Sequence, residues 1–215
     1  MHSQYLNLIS ATERSFLEDL HRNGSHINSY GMDKVLLPLD NELFSLLAHR
    51  IIKDRLGFDN YEICGDNFYL HSMSYFAHSD AVENTAWKNI VIPLRIDLAY
   101  GVQKFIVFDQ TYTLGNATWT GNCNMQGDFY SNKKIAEPFS ASPGVVGMSG
   151  QPISELLYSE MDQKYYTRDY CQGLTGHAYP VIVNSAIVFD SQHIHCTGRM
   201  QCAAKLGLSI RIKHI

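Results

Sequence analysis

His78-Ser79-Asp80 offers an imidazole and a carboxylate at i and i+2, and side chains two apart on an extended chain project to the same side. A lone pair of this kind is weak evidence, because chance produces it in many chains. It gains weight from Phe189-Asp190-Ser191-Gln192-His193-Ile194-His195, far downstream and just behind a strongly apolar run. A histidine entering from a distant strand completes a set of two imidazoles and one carboxylate. Such a set occupies one face of an octahedral metal and leaves three positions open. Neutral imidazoles with a hard carboxylate suit Fe(II), and the open face suits a bidentate cosubstrate together with dioxygen. His193 and His195 share a face of an extended chain, so either can be the distal ligand.

The final run adds a cation. Lys205, Gly207, Ser209, Arg211 and Lys213 fall on one face by period two, and Leu206, Leu208, Ile210 and Ile212 on the other. Alternation this regular usually separates a core face from a solvent face. With a metal site nearby, an inward cation can instead pair with the far carboxylate of a dicarboxylate chelated to the metal.

The elements that must position these groups change character along the chain. Residues 1–57 read as helical. Ser10-Ala11-Thr12-Glu13 fits a capping box ahead of Phe16, Leu17 and Leu20, and Asn23-Gly24 ends the pattern. A second helix is expected from Asp40 as N-cap, with Leu43, Leu46, Leu47, Ile51 and Leu56 as its stripe and Gly57 as its stop. The intervening residues read as a loop. From residue 58 the chain reads as strands: 61–64, 68–77, 89–98, 104–109, 180–190, 192–197 and 203–213, with a short helix at about 152–166. Residues 111–150, rich in Gly, Asn, Ser and Thr with scattered aromatics, read as a long loop insertion of the kind that forms lids. Helices followed by seven or eight short strands predict a mainly β fold, a sandwich or barrel with helices on one side, in one domain over 1–215.

Composition narrows the function. With 215 residues, 45% hydrophobic and 18% charged, the chain is ordinary globular material. A net charge of -4 argues against holding nucleic acid by bulk electrostatics. No apolar run approaches a membrane span, and the N-terminus lacks the pattern of a secretory signal. Five cysteines without a CxxC pair make a reducing cytoplasm the expected location. The oligomeric state is not legible.

His78-x-Asp80, then Val188-Phe189-Asp190-Ser191 leading to His195, then Lys205 ten residues on, resemble in order and spacing the Fe(II)- and 2-oxoglutarate-dependent oxygenases, most of all their phytanoyl-CoA and prolyl hydroxylase-like branches. The similarity runs over residues 61–110 and 178–213, and the tail Lys205-Leu-Gly-Leu-Ser-Ile-Arg211-Ile resembles the family's closing strand. The resemblance implies a double-stranded β-helix, or jelly roll, with iron in its open end on His78, Asp80 and His195. The family's offset from the Phe-Asp-Ser turn favours His195 over His193. It also implies Lys205 as the 2-oxoglutarate anchor, where many members carry arginine, with Arg211 as fallback or second contact. The implied reaction decarboxylates 2-oxoglutarate to succinate and CO2 with dioxygen and oxidises an organic substrate that the sequence does not name. Asp80 favours hydroxylation, because halogenating members replace this carboxylate with a small residue. The rival is a cupin-like metal or small-ligand binding protein without 2-oxoglutarate, and it supplies no anion for a buried Lys205.

Other residues carry two readings each. Parity from His78 puts His71 on the opposite strand face, as a structural histidine. His177, after Gly173-Leu174-Thr175-Gly176, is a substrate contact or a solvated loop residue. Trp119 and Tyr130 belong to a substrate lid or anchor the long loop to the sheet. Cys196 points away from its neighbour His195, into the core.

Overall fold

The chain opens with strand β1 (His2–Tyr5) and helix α1 (Ala11–Asn23). Ser10 Oγ accepts from the Glu13 N–H while the Glu13 carboxylate accepts from the Ser10 N–H, the expected reciprocal cap. A hairpin follows, β2 (His26–Ser29) and β3 (Met32–Leu36), where the sequence suggests a loop. Its apolar residues explain the difference: Val35 and Met32 bury against the sheet that β3 extends. Helix α2 (Glu42–His49) runs on into a π-helical turn, Arg50–Arg55. Asn41 caps it, with Oδ1 accepting from the Phe44 N–H at 3.0 Å, in place of the expected Asp40. Phe44, Leu47, Ile51 and Ile52 face the core, whereas Leu43 and Leu46 are exposed.

The strands are β4 (Tyr61–His71), β5 (Ala77–Asp80), β6 (Lys88–Asp97), β7 (Lys104–Tyr112), β8 (Asn116–Trp119), β9 (Lys133–Ile135) and β10 (Val145–Val146). After the short helix α3 (Glu155–Glu160) come β11 (Gly176–Pro180), β12 (Ala186–Asp190), β13 (His193–Thr197) and β14 (Ala204–His214). This computed structural model describes residues 2–29, 32–36, 41–80, 87–121 and 133–215, without the side chains of Asn28, Ser29, Leu36 and Asp66. Asp40, Cys123 and Tyr130 therefore lie outside the described residues.

Two seven-stranded sheets form the jelly roll. One has the order β1-β12-β6-β14-β4-β3-β2; the other runs β10-β7-β13-β5-β8-β9, with β11 on β7. Helices α1 and α2 cover the outer face of the first sheet through Leu17, Phe44, Ile51 and Ile52 against Ile92, Leu206 and Leu208. Each side chain buried in this way stabilises the fold by roughly 1.5–3 kcal/mol. Between the sheets Val91, Phe105, Val107, Ile187 and Phe189 pack together. The expected strand over 180–190 is two: Asn184 takes φ 68° between β11, in the second sheet, and β12, in the first.

The long insertion after β7 is also not a loop. Its described parts hold β8, β9, β10 and a 3-10 turn at Phe139–Ala141, and they pack on the outer face of the second sheet. Trp119 is 0% exposed there, stacked on Phe139, its indole N–H donating to Ser142 Oγ at 3.0 Å. It anchors this layer to the sheet and takes no part in a lid over the barrel.

Candidate metal centre

β5 and β13 are neighbours in the second sheet, and His78 and His195 stand directly opposite each other across that pair. Asp80, two residues along β5, projects to the same side. The two rings lie 4.1 Å apart between centroids. His78 Nε2 is 3.7 Å from Asp80 Oδ1, and His195 Nε2 is 3.4 Å from Asp80 Oδ2. His195 is only 3% exposed, closed in by Phe105 and Phe189.

The other ring nitrogens fix the orientation. His78 Nδ1 lies 2.8 Å from the Phe76 carbonyl oxygen and His195 Nδ1 3.0 Å from that of His193. A carbonyl only accepts, so both Nδ1 atoms donate, which turns Nε2 of each ring, the lone-pair nitrogen of that neutral tautomer, toward Asp80. Burial lowers the His78 pKa to about 4, with His195 adding to the effect, which keeps that ring neutral. Burial opposes ionisation of Asp80, and the charge of nearby Arg211 favours it. In that tautomer two lone pairs face one carboxylate, at 3.7 and 3.4 Å. A divalent cation among the three converts that repulsion into ligation, and the backbone carbonyls behind the rings aim the ligands. The donor set fits iron.

Asn89, on β6, supports the third ligand: its Nδ2 donates to Asp80 Oδ2 at 2.9 Å. The Asn89 Oδ1 atom is buried and has no hydrogen-bond partner among the described residues. The sequence reading missed Asn89, which sits next to the apolar run Ile90-Val91-Ile92; a polar residue starting such a run is the one available signal.

The pairing of β13 with β7 slips between His193 and His195, which cancels their expected common face. His193 instead directs Nδ1 to the Phe108 carbonyl at 2.7 Å and packs on His2. His195 is the histidine brought to His78 and Asp80. His71 also departs from the parity reading. The bend at Ser72–Phe76 separates β4 from β5, so parity does not carry across, and His71 lines the same cavity as His78. Its buried Nδ1 has no hydrogen-bond partner among the described residues.

This cavity, open to solvent, runs from Thr197 and Phe105 past the triad to Ser209 and Arg211. Lys205 lines a smaller adjoining cavity, which shares Tyr69, Val91 and Phe105 with this one. It is 4% exposed, its ammonium donates to Thr197 Oγ1 at 3.0 Å, and the rings of Phe105 and Tyr69 lie 5.7 and 5.9 Å away. Burial brings its pKa down to about 8. Among the described residues no carboxylate forms an ion pair with it. Gly207 makes room for Tyr69 to reach this smaller cavity: a Cβ there would stand 2.6 Å from the phenol oxygen.

His177 lies elsewhere. It is exposed on β11, its ring 4.9 Å from that of His2, and with His2 and Asp109 it forms one of two further clusters of donor atoms within 4.8 Å, the other being His21, His26 and Asp33. It does not line the cavity of the triad. Cys196 is buried among the outer-layer residues, as expected.

No protein-family model matches the chain, and no curated protein matches it in sequence. Solved structures match its fold along the whole length. A 2OG-Fe(II) oxygenase family oxidoreductase from Burkholderia pseudomallei aligns with TM-score 0.52 at 13% identity, covering 99% of this chain and 84% of that one. HygX from Streptomyces hygroscopicus, solved with nickel and 2-oxoglutarate bound, aligns with TM-score 0.55 at 6% identity, over 99% and 82%. A Pseudomonas putida prolyl-4-hydroxylase aligns with TM-score 0.52 at 12% identity, over 100% and 92%. The chain has the jelly-roll fold of the Fe(II)- and 2-oxoglutarate-dependent oxygenases.

Proposed function

We propose that this chain is a non-haem Fe(II)- and 2-oxoglutarate-dependent dioxygenase, working as one domain over residues 1–215. The reaction we assign is hydroxylation of a small molecule or of an amino-acid or peptide side chain. The observation that carries the reading is the convergence of two imidazole lone pairs on the Asp80 carboxylate. His78, Asp80 and His195 would hold the metal, and Lys205 would take the far carboxylate of 2-oxoglutarate. When bound, iron and 2-oxoglutarate together supply oxidising power from dioxygen, with succinate and CO2 as products.

The chain's own residues do the positioning. Asn89 fixes the Asp80 carboxylate, the Phe76 and His193 carbonyls fix the rings, and Phe105 and Phe189 keep water from His195. Lys205 supplies a buried cation, which is costly without an anion and profitable with one. The cupin-like alternative leaves that cation unexplained. The described cysteines, Cys64, Cys171, Cys196 and Cys202, are free thiols, which supports a reducing cytoplasm. Among the described residues no helix is long and apolar enough to cross a membrane.

Anaerobic titration of the protein with Fe(II) and 2-oxoglutarate tests the reading. The expected result is a weak visible charge-transfer band that needs both components and saturates at one equivalent of each. Iron binding without any 2-oxoglutarate-dependent band would point to the cupin-like alternative.

A further inference from the structure

Lys205 and Arg211 sit on one strand and both turn into the barrel, yet they serve opposite ends of it. Six residues of extended chain separate their Cα atoms by roughly 20 Å. Lys205 pairs with His71 across β14 and β4 and bonds Thr197, two residues past His195. Arg211 pairs with Gly65 on one side and with Asn89, the residue holding Asp80, on the other. The metal-binding triad lies between the two cations. With Lys205 on the far carboxylate of 2-oxoglutarate, Arg211 is left beside Asp80 on the other side of the triad.

Arg211 is half-buried where Lys205 is buried, and it lines the cavity of the triad. The guanidinium lies over Gly65, where a Cβ would come within 2.6 Å of Nη2. Among the described residues no side chain is hydrogen-bonded or ion-paired to it. Lys34, on the neighbouring β3, brings a second positive charge close to Arg211. Its pKa is lowered by burial and then by Arg211, as two nearby like charges require. Asn67 and Ser209, which pair across β4 and β14, line the same stretch with hydrogen-bonding groups.

We propose that the organic substrate carries an oxyanion, a carboxylate or a phosphate, which the Arg211 guanidinium binds in the cavity of the triad. This rests on the oxygenase reading for the identity of the site, and it removes Arg211 from the cosubstrate's contacts. A guanidinium presents a planar fork that matches either anion in two parallel hydrogen bonds. Bound there, the anion neutralises the guanidinium and directs the rest of the molecule past Asp80, toward the metal.

Calorimetric titration with phenylacetate, phenyl phosphate and neutral phenylacetamide tests this, on the metal-free protein and on the anaerobic Fe(II)- and 2-oxoglutarate-loaded protein. The loaded wild type should bind at least one of the two anions about tenfold to a hundredfold more tightly than the amide, equivalent to about 1.4–2.8 kcal/mol. The tighter anion identifies which oxyanion the site prefers. Arg211→Gln should bring anion and amide to within about twofold, while its affinity for 2-oxoglutarate stays near the wild-type value. Arg211→Lys keeps a charge without the fork and should retain part of the preference, which separates loss of recognition from misfolding. Equal binding of amide and anions by the wild type, or an anion preference that survives Arg211→Gln, would overturn the proposal. So would a loss of 2-oxoglutarate affinity in Arg211→Gln with none in Lys205→Gln, because Arg211 would then be the cosubstrate anchor. A wild type that forms no 2-oxoglutarate-dependent band fails the oxygenase reading instead. The metal-free titration still tests Arg211 in that event.

Discussion

The described residues hold three clusters of the same composition, two histidines and an aspartate with donor atoms within 4.8 Å. In one of them Asp33 is already taken up by His26 Nδ1 at 2.6 Å, and of the other two, one buried and one at the surface, only the buried one is arranged as a metal site. In the buried cluster each histidine spends Nδ1 on a backbone carbonyl and turns Nε2 on Asp80. In the surface cluster His2 is already satisfied: Nδ1 lies 2.6 Å from the Tyr179 hydroxyl and Nε2 3.2 Å from Asp109. His177 and Asp109 are exposed to water. Residue types and distances are alike in the two places. What differs is whether the hydrogen bonds leave lone pairs over on buried rings. That criterion separates a ligand set from a polar network.

The largest effect expected from this contrast is at the buried triad. His78→Ala, Asp80→Ala or His195→Ala should each abolish tight Fe(II) binding and turnover, measured by dialysis equilibrium and succinate release. Loss in His193→Ala with full activity in His195→Ala would reverse the distal assignment.

Next comes Lys205, buried like the triad but cationic. Lys205→Ala should raise the 2-oxoglutarate requirement by about one to three orders of magnitude, since a buried partner lost from a charge pair costs roughly 2–5 kcal/mol. Iron affinity should change little. The ligand-free protein should respond in the opposite sense. The buried ammonium releases its proton near pH 8, while an unfolded lysine holds it to about 10.5, so the folded state binds fewer protons in that window. Wild-type stability should therefore rise as pH increases from 8 to 10.5, by up to roughly 3 kcal/mol at 1.36 kcal/mol per unit. Lys205→Met should lack this rise and melt higher than wild type at pH 7. Thermal melts across pH without 2-oxoglutarate check both statements.

A smaller change is expected from the residue behind Asp80. Asn89→Leu removes the hydrogen bond that fixes the carboxylate, and such outer partners are worth about 10–100-fold in metal affinity. Fe(II) competition against a chromophoric chelator would read it; unchanged affinity would mean that Asp80 is held by its strand alone.

Much of this was legible in the sequence, for reasons that differ by element. The His78-Asp80 pair was readable because period two holds within the short strand β5. The alternation of β14 was readable because one of its faces packs under two helices while the other lines the barrel. His71 was misplaced because five residues of bend break the parity between β4 and β5. The common face of His193 and His195 failed on an irregularity in strand pairing, which residue types do not announce. Trp119 was half-read: a tryptophan in a polar insertion suits a lid as well as an anchor, and only its burial against Phe139 and Ser142 separates them. Asn89 was invisible because its partner is nine residues away across two strands of different sheets.

The surface cluster should give the smallest effects. His2→Ala and His177→Ala, singly or together, should leave tight metal binding unchanged and alter stability by no more than about 0.5 kcal/mol each, as exposed substitutions usually do. Co(II) binding stoichiometry therefore tests the central claim most directly, with the visible d–d bands as readout, in wild type, in His195→Ala and in the His2→Ala/His177→Ala double variant. The account predicts one tight equivalent in wild type and in the double variant, and none in His195→Ala. A tight site that survives His195→Ala and disappears with the surface histidines would contradict it.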